Sequence, residues 1–210
     1  MIILAHRGYW TEPGEKNLRI AFERSFSSGF GVETDIRDVA GRLCIAHDMP
    51  RGDEQSVSDF LDIYKSYNRP LPLALNIKAD GLQHAMADLL KEKEVDNYFF
   101  FDMSMPDALG YQKKGLSFFT RQSEYEPHPY LYDSAAGVWL DEFDDHWITE
   151  EVILGHYRQA KKICIVSPEL HKRNYRKEWE HYKNIIDKFG INDLMLCTDF
   201  PMEAQNFFNT

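Results

Sequence analysis

Ile2-Ile3-Leu4-Ala5-His6-Arg7-Gly8 opens the chain as a short apolar run that ends in a histidine, an arginine and a glycine. The arrangement recurs soon afterwards. Phe30-Gly31-Val32 runs into Glu33-Thr34-Asp35, and Leu43-Cys44-Ile45-Ala46 runs into His47-Asp48. Short apolar runs bounded in this way read as buried strands. Polar side chains at the ends of buried parallel strands are how α/β barrels build their sites. Glu33 and Asp35 are two positions apart, so on a strand both point to one face. Two carboxylates on one buried face repel each other unless a cation lies between them, and a divalent metal with oxygen ligands meets that need.

Working outward, apolar strand candidates fall at 2–6, 31–36, 73–78, 98–102, 117–121, 136–141, 162–167 and 194–198. Segments of helical period lie between most of them. Leu18, Ala21, Phe22 and Phe26 mark one face of a helix at 15–28. Helices at 81–93, 149–161 and 175–189 follow from Leu82/Met86/Leu90, Ile153/Tyr157/Ala160 and Trp179/Tyr182/Phe189. Eight strands alternating with helices fit either a (β/α)8 barrel or an open doubly wound sheet. The strand count and the placing of the polar residues favour a short TIM barrel of class α/β, as a single domain over 1–210. Asp38-Val39-Ala40-Gly41-Arg42 reads as the turn of a hairpin that brings His47 back beside Glu33 and Asp35. Residues 48–56 and 122–134 are expected as polar rim loops, where Trp10, Tyr125, Tyr130 and Tyr132 either face a substrate or, the favoured reading, pack the rim.

A chain of 210 residues is long enough for one domain with a full core. The formal net charge of -10 and the pI of about 5.3 argue against nucleic acid as a partner, because phosphate-backbone contacts need basic patches. A few buried cations can still dominate one pocket that binds a small phosphate ligand. No run approaches the ~18 apolar residues of a membrane span, and no signal peptide is expected at the start. Cys44, Cys164 and Cys197 sit in strand-like runs without metal spacing, so buried thiols in a reducing, cytoplasmic setting are expected.

On a barrel, the strand ends would offer His6, Arg7, Glu33, Asp35, Asn76, Lys78, Asp102, Arg121, Asp141, Glu169 and Asp199. Carboxylates beside arginine and lysine suit a divalent cation held together with an anion. Two histidines can supply an acid and a base near neutral pH. Metal, arginine, lysine and a histidine pair suit phosphoryl chemistry. Asp102 and Asp141 read best as helix caps. Lys78 has Asp80 as an alternative partner. His84, His128, His146, His156 and His181 fall on helices or loops outside the site. His171, in the polar stretch Ser167-Pro168-Glu169-Leu170-His171, is kept as a candidate substrate contact.

His6-Arg7-Gly8, Glu33-Thr34-Asp35, Ala40-Gly41, His47-Asp48 and Thr198-Asp199-Phe200-Pro201 resemble, in order and spacing, the motifs of the glycerophosphodiester phosphodiesterase family. That family is a TIM-barrel group related to the phosphatidylinositol-phospholipase-C-like phosphodiesterases. Its Pro-Glu-Asn segment is altered here to Gly14-Glu15-Lys16-Asn17. The resemblance implies that His6 and His47 form the acid–base pair, that Arg7 and Lys78 hold phosphate, and that Glu33 and Asp35 bind the metal. In Leu75-Asn76-Ile77-Lys78, Asn76 stands where the family has a third metal-ligand Glu. An amide oxygen still suits Mg2+ or Ca2+ but brings no charge. The insertion usual between His-Asp and the third strand is missing.

The expected activity is hydrolysis of a small, glycerophosphodiester-like substrate with a divalent cation, most simply Mg2+ or Ca2+. Two alternatives stand beside it. One is a related enzyme acting on a nucleotide-linked or polymer-precursor diester. The other is a catalytically impaired barrel that binds a phosphorylated ligand.

Overall fold

Leu73-Ala74-Leu75-Asn76-Ile77 is buried along its whole length, and so is Gly137-Val138-Trp139-Leu140. Strands covered on both faces are the mark of a parallel sheet flanked by helices, where no face alternates with solvent. The structure, a computed structural model, describes residues 1–209. Thr210, the last residue of the expected 1–210 domain, lies outside the described residues. Contacts group Ala5–Phe118 as one compact unit, and Met1–Leu4 with the chain from Phe119 onward as another.

In the first unit, β1 (Ile2–His6) delivers its last two residues. Next come α1 (Arg19–Ser28), β2 (Gly31–Val39), β3 (Arg42–Ile45), α2 (Val57–Ser66), β4 (Leu73–Ile77), α3 (Gln83–Glu92), β5 (Tyr98–Phe101) and α4 (Met105–Lys113). The order is β5-β4-β2-β1, with β2–β4 and β4–β5 parallel. β3 turns back antiparallel on β2 as the expected hairpin. Its two turn residues, Ala40 and Gly41, have φ of 49° and 78°, the left-handed pair that a two-residue hairpin requires. Phe22 and Phe26 on α1 pack against Phe60 on α2, with ring centroids 4.7 and 6.0 Å apart.

In the second unit, β6 (Phe119–Gln122), β7 (Gly137–Leu140), α5 (Glu150–Arg158), β8 (Lys162–Val166), α6 (Arg176–Phe189), β9 (Met195–Thr198) and α7 (Pro201–Phe208) follow one another. The order is β1-β9-β8-β7-β6, with parallel registers from β6 to β9. The fully buried Trp179 of α6 donates its indole N–H to Ser167 Oγ at 2.8 Å. The strand order and the alternation of strands with helices are those of a (β/α)8 barrel, the class expected.

All eight expected strands are present with small shifts at their ends. The expected helix at 15–28 starts later, at Arg19, after a 3-10 turn at Pro13–Glu15. Leu18 precedes that helix as its N-cap and is 49% exposed, so it does not share the buried face of Ala21, Phe22 and Phe26. Tyr157 and Phe189 also lie largely outside their helices' buried faces. Helices α2, α4 and α7 add to the four expected. All three cysteines are buried, and no disulfide joins them.

Candidate active site

The turn after β1 sets the first two groups. Arg7 and Gly8 both take left-handed backbone, with φ of 56° and 83°. A Cβ on Gly8 would lie 2.8 Å from the Ala21 Cβ, so glycine is required both by φ and by the close approach of α1. The Arg7 backbone N–H donates to the Glu33 carbonyl at 2.9 Å and reaches Glu33 Oε2 at 3.3 Å. This geometry turns the arginine side chain toward β2, where its Nε lies 3.1 Å from Asp35 Oδ2.

Glu33 and Asp35 are 2% and 1% exposed. Asp35 is opposite Asn76 in the parallel β2–β4 register, which explains how one strand end gathers groups from two. The Asn76 amide donates to Glu33 Oε1 at 3.3 Å. His6 Nε2 is 3.9 Å from Glu33 Oε2. Lys78 Nζ sits 3.6 Å from Asp35 Oδ1 and 3.6 Å from Asp102 Oδ2. Burial, and then the charge of Asp35, push the Glu33 carboxyl up to about 7, while His6, Arg7 and Lys78 pull it down. Asp35 Oδ1 and Asn76 Oδ1 are buried and accept no hydrogen bond. The Arg7–Asp35 contact is a charge contact without hydrogen-bond alignment, since Arg7 Nε also lacks a bonded partner.

His47 follows β3. The residue before it, Ala46, donates its N–H to the Asp35 carbonyl at 3.0 Å, so the hairpin returns the chain to β2 as the sequence implies. His47 Nδ1 lies 2.8 Å from Asp48 Oδ1, and the side chain is 46% exposed. Nδ1 is thus the ring nitrogen that a carboxylate engages. Arg7, Asn17, His47, Asp48 and Glu54 line one cleft of about 400 Å3. The 48–56 stretch therefore forms part of the rim, as expected.

Six of the seven expected site residues (His6, Arg7, Glu33, Asp35, Asn76 and Lys78) are linked by contacts of 3.9 Å or less, and His47 joins through the shared cleft. Two further residues reach the group. Asn17 donates from Nδ2 to Asp35 Oδ2 at 2.8 Å. Its sequence signal was its place at the end of the altered Gly14–Asn17 segment. Asp102 is not the helix cap it was expected to be. Ser104 caps α4 by accepting from the Asp107 N–H, while Asp102 faces Lys78. Lys78 likewise pairs with Asp35 and Asp102, and Asp80 accepts from Ser104.

The second unit holds its own polar groups. Asp141 does not cap α5, which Thr149 caps. Instead its Oδ1 lies 2.6 Å from His171 Nε2. Glu169 is buried, which raises its pKa, against hydrogen bonds from Ser167, Thr198 and the Asp199 N–H. Glu142, His146 and Glu178 cluster closely. Glu142 already accepts from the Trp147 and Ile148 N–H groups and from Tyr182, and Arg173 lies 3.6 Å away. Arg173 also reaches Glu178, at 3.2 Å, so it bridges both carboxylates of the cluster. His156 lies between Tyr132 and Gln122, so it and Tyr132 are structural.

No family model and no curated protein matches the chain. Solved structures do. A putative glycerophosphodiester phosphodiesterase from Galdieria sulphuraria aligns at TM-score 0.76 and 16% identity, covering 100% of this chain and 98% of that one. A phosphodiesterase from Oleispira antarctica, solved with the product sn-glycerol-3-phosphate, aligns at 0.72 and 13% identity, covering 100% and 97%. A Ca2+-dependent phosphatidylinositol-specific phospholipase C from Streptomyces antibioticus aligns at 0.61 and 10% identity, covering 99% and 95%. At these identities the likeness speaks for the fold, and the chain has the barrel fold of the glycerophosphodiester phosphodiesterases along its whole length.

Proposed function

We propose that the chain, as one domain over 1–210, is a phosphoric diester hydrolase that cleaves a small, glycerophosphodiester-like substrate with a divalent cation. The observation that carries this reading is the pair of buried acceptor oxygens, Asp35 Oδ1 and Asn76 Oδ1, left without donors beside the Glu33 carboxyl. A buried polar atom without a partner costs about 1–3 kcal/mol. A hard cation with oxygen ligands satisfies both atoms and relieves the Glu33–Asp35 repulsion. The donor set Glu33, Asp35 and Asn76 therefore fits Mg2+ or Ca2+. When bound, the cation supplies Lewis-acid polarisation of a phosphoryl oxygen.

The chain's own groups do the rest. Arg7 and Lys78, already gathered at Asp35, neutralise the remaining phosphate charge. One of His6 and His47 takes the proton of the attacking water as its oxygen bonds to phosphorus. The other gives a proton to the alkoxide released when the second P–O bond breaks. Asp48, on His47 Nδ1, holds the orientation of that ring. The product seen with the Oleispira enzyme and the calcium dependence of the Streptomyces enzyme support the substrate class and the cation. The buried cysteines agree with a cytoplasmic setting. Among the described residues no helix is long and apolar enough to cross a membrane.

The test is cleavage of bis(p-nitrophenyl) phosphate and glycerophosphocholine in EDTA, then with Mg2+, Ca2+ or Mn2+ added back, beside His6→Ala. Turnover restored by metal and lost in the variant is the expected result. Full activity in a His6→Ala/His47→Ala double variant sinks the mechanism. Metal-dependent phosphate binding without turnover on either diester moves the reading to a specialised diester or a binding module.

A further inference from the structure

The chain leaves β1, runs out from Tyr9 to Lys16, and comes back to the site at Asn17. Three hydrogen bonds meet there. The Asn17 backbone N–H donates to the Arg7 carbonyl at 2.9 Å. Its side-chain Nδ2 donates to Asp35 Oδ2 at 2.8 Å. Its side-chain Oδ1 accepts from the Thr34 hydroxyl at 2.9 Å. Asp35 is a carboxylate and can only accept, so the amide must turn its NH2 arm to it, and Oδ1 then receives the Thr34 proton. Both arms are thereby fixed by adjacent residues of β2. The backbone of Asn17 has φ 61°, a left-handed conformation that asparagine tolerates better than most residues.

The consequence falls on Asp35. Its Oδ2 is engaged by Asn17 at 2.8 Å and by Arg7 at 3.1 Å. Its Oδ1 is buried without a hydrogen bond, 3.6 Å from Lys78 Nζ. Rotating the carboxylate would break the Asn17 bond, so the two oxygens are not interchangeable. We propose that Asn17 is a positioning residue, whose amide fixes the rotation of the Asp35 carboxylate so that Oδ1 is the oxygen presented to the divalent cation. The role rests on the phosphodiesterase reading above. Its backbone N–H, on the Arg7 carbonyl, holds the arginine turn in the same register. Partners that orient a metal-binding carboxylate are worth about 10–100-fold in affinity or activity when removed.

Asn17→Gly separates the side chain from the turn, because glycine keeps the N–H to Arg7 and adopts φ 61° freely. Mg2+ and Ca2+ affinity is read by titration calorimetry without substrate, beside kcat and KM on bis(p-nitrophenyl) phosphate. The expected result is a wild-type circular dichroism spectrum, a cation affinity lowered about 10–100-fold and kcat lowered by a similar factor, with KM changed less. Thr34→Val removes only the hydroxyl that anchors the amide, on a fully buried strand residue. It should lower cation affinity in the same direction by a smaller factor, and it decides the matter if the glycine variant does not fold. Wild-type cation affinity and kcat in both variants would make Asn17 a turn residue and overturn the proposal alone. Wild-type protein that binds neither cation and cleaves neither diester overturns the phosphodiesterase reading, and this role with it.

Discussion

Replacing Asn76 with glutamate probes the charge balance that defines the site. Asn76 is 7% exposed, donates to Glu33 Oε1 at 3.3 Å and stands opposite Asp35 in the β2–β4 register. Asn76→Glu removes that donor and adds a third carboxylate to two that already repel. Two unit charges about 4 Å apart at an effective dielectric of about 20 interact by about 4 kcal/mol. Burial and the charge of Asp35 already push the Glu33 carboxyl up, so the enlarged cluster takes up a proton more readily instead of bearing the full repulsion. In EDTA the expected loss is therefore about 2–3 kcal/mol. For a chain of this size each kcal/mol moves Tm by roughly 2–4 °C, so Tm should fall by about 4–12 °C. A divalent cation offsets part of that loss, because three carboxylates attract it more strongly than two carboxylates and an amide. Tenfold tighter binding adds about 1.4 kcal/mol at saturating metal. Asn76→Gln has the same length without the charge and isolates the electrostatic part. The assay is thermal unfolding of all three proteins in EDTA and across Mg2+ and Ca2+ titrations. Glutamate and glutamine variants that melt together in EDTA and respond alike to metal would refute the account of Glu33, Asp35 and Asn76 as a cation site.

Gly8→Ala should cost roughly 2–4 kcal/mol in urea unfolding, from the left-handed φ and the 2.8 Å approach to Ala21. An unchanged midpoint would show that the Arg7–Gly8 turn is not rigid. His47→Ala should lower kcat about 10²–10⁴-fold while leaving Tm nearly unchanged, since the ring is half exposed. Wild-type kcat in that variant would remove His47 from the proton transfers. Burial, and then Lys161, lower the His156 pKa. The unfolded chain therefore takes up the proton first, and stability held above the unfolded value of about 6.5 is lost as pH falls below it. Urea midpoints between pH 7.5 and 5.5 should fall more steeply in wild type than in His156→Gln, and equal slopes would refute the assignment.

The strands were legible because parallel strands buried on both faces read as unbroken apolar runs. Tyr98-Phe99-Phe100-Phe101 is the plainest case. The helices were less so, for different reasons. α4 buries only Asp107, Ala108 and Tyr111, and it contains Pro106 and Gly110, so its apolar period is weak. α7 opens with Pro201 and a half-exposed Met202. α2 carries a clear pattern in Val57, Phe60, Leu61 and Tyr64 behind the Ser56 cap, but it is only ten residues long and follows directly on the polar run 48–56. Leu18 failed in the opposite way. It has helical spacing to Phe22, yet it precedes the first helical turn and points outward.

The site divides along the same physical line. Strand ends gave His6, Arg7, Glu33, Asp35, Asn76 and Lys78 because a polar residue closing an apolar run has few other reasons to be there. Asp102 obeys that rule as well, but at a strand-to-helix junction a capping aspartate and a site aspartate look alike in sequence. What separates them is backbone geometry. Asp102 has φ 67° and an ion pair with Lys78, and the capping oxygen comes from Ser104 two residues later. Asn17 lies further from any periodic signal, since it belongs to a loop and acts through the conformation of that loop. Its amide matters only because the excursion after β1 returns it to within 2.8 Å of Asp35. A sequence displays which groups end a strand. It does not display which oxygen of a carboxylate is already taken, and at Asp35 that occupancy decides which oxygen is left for a cation.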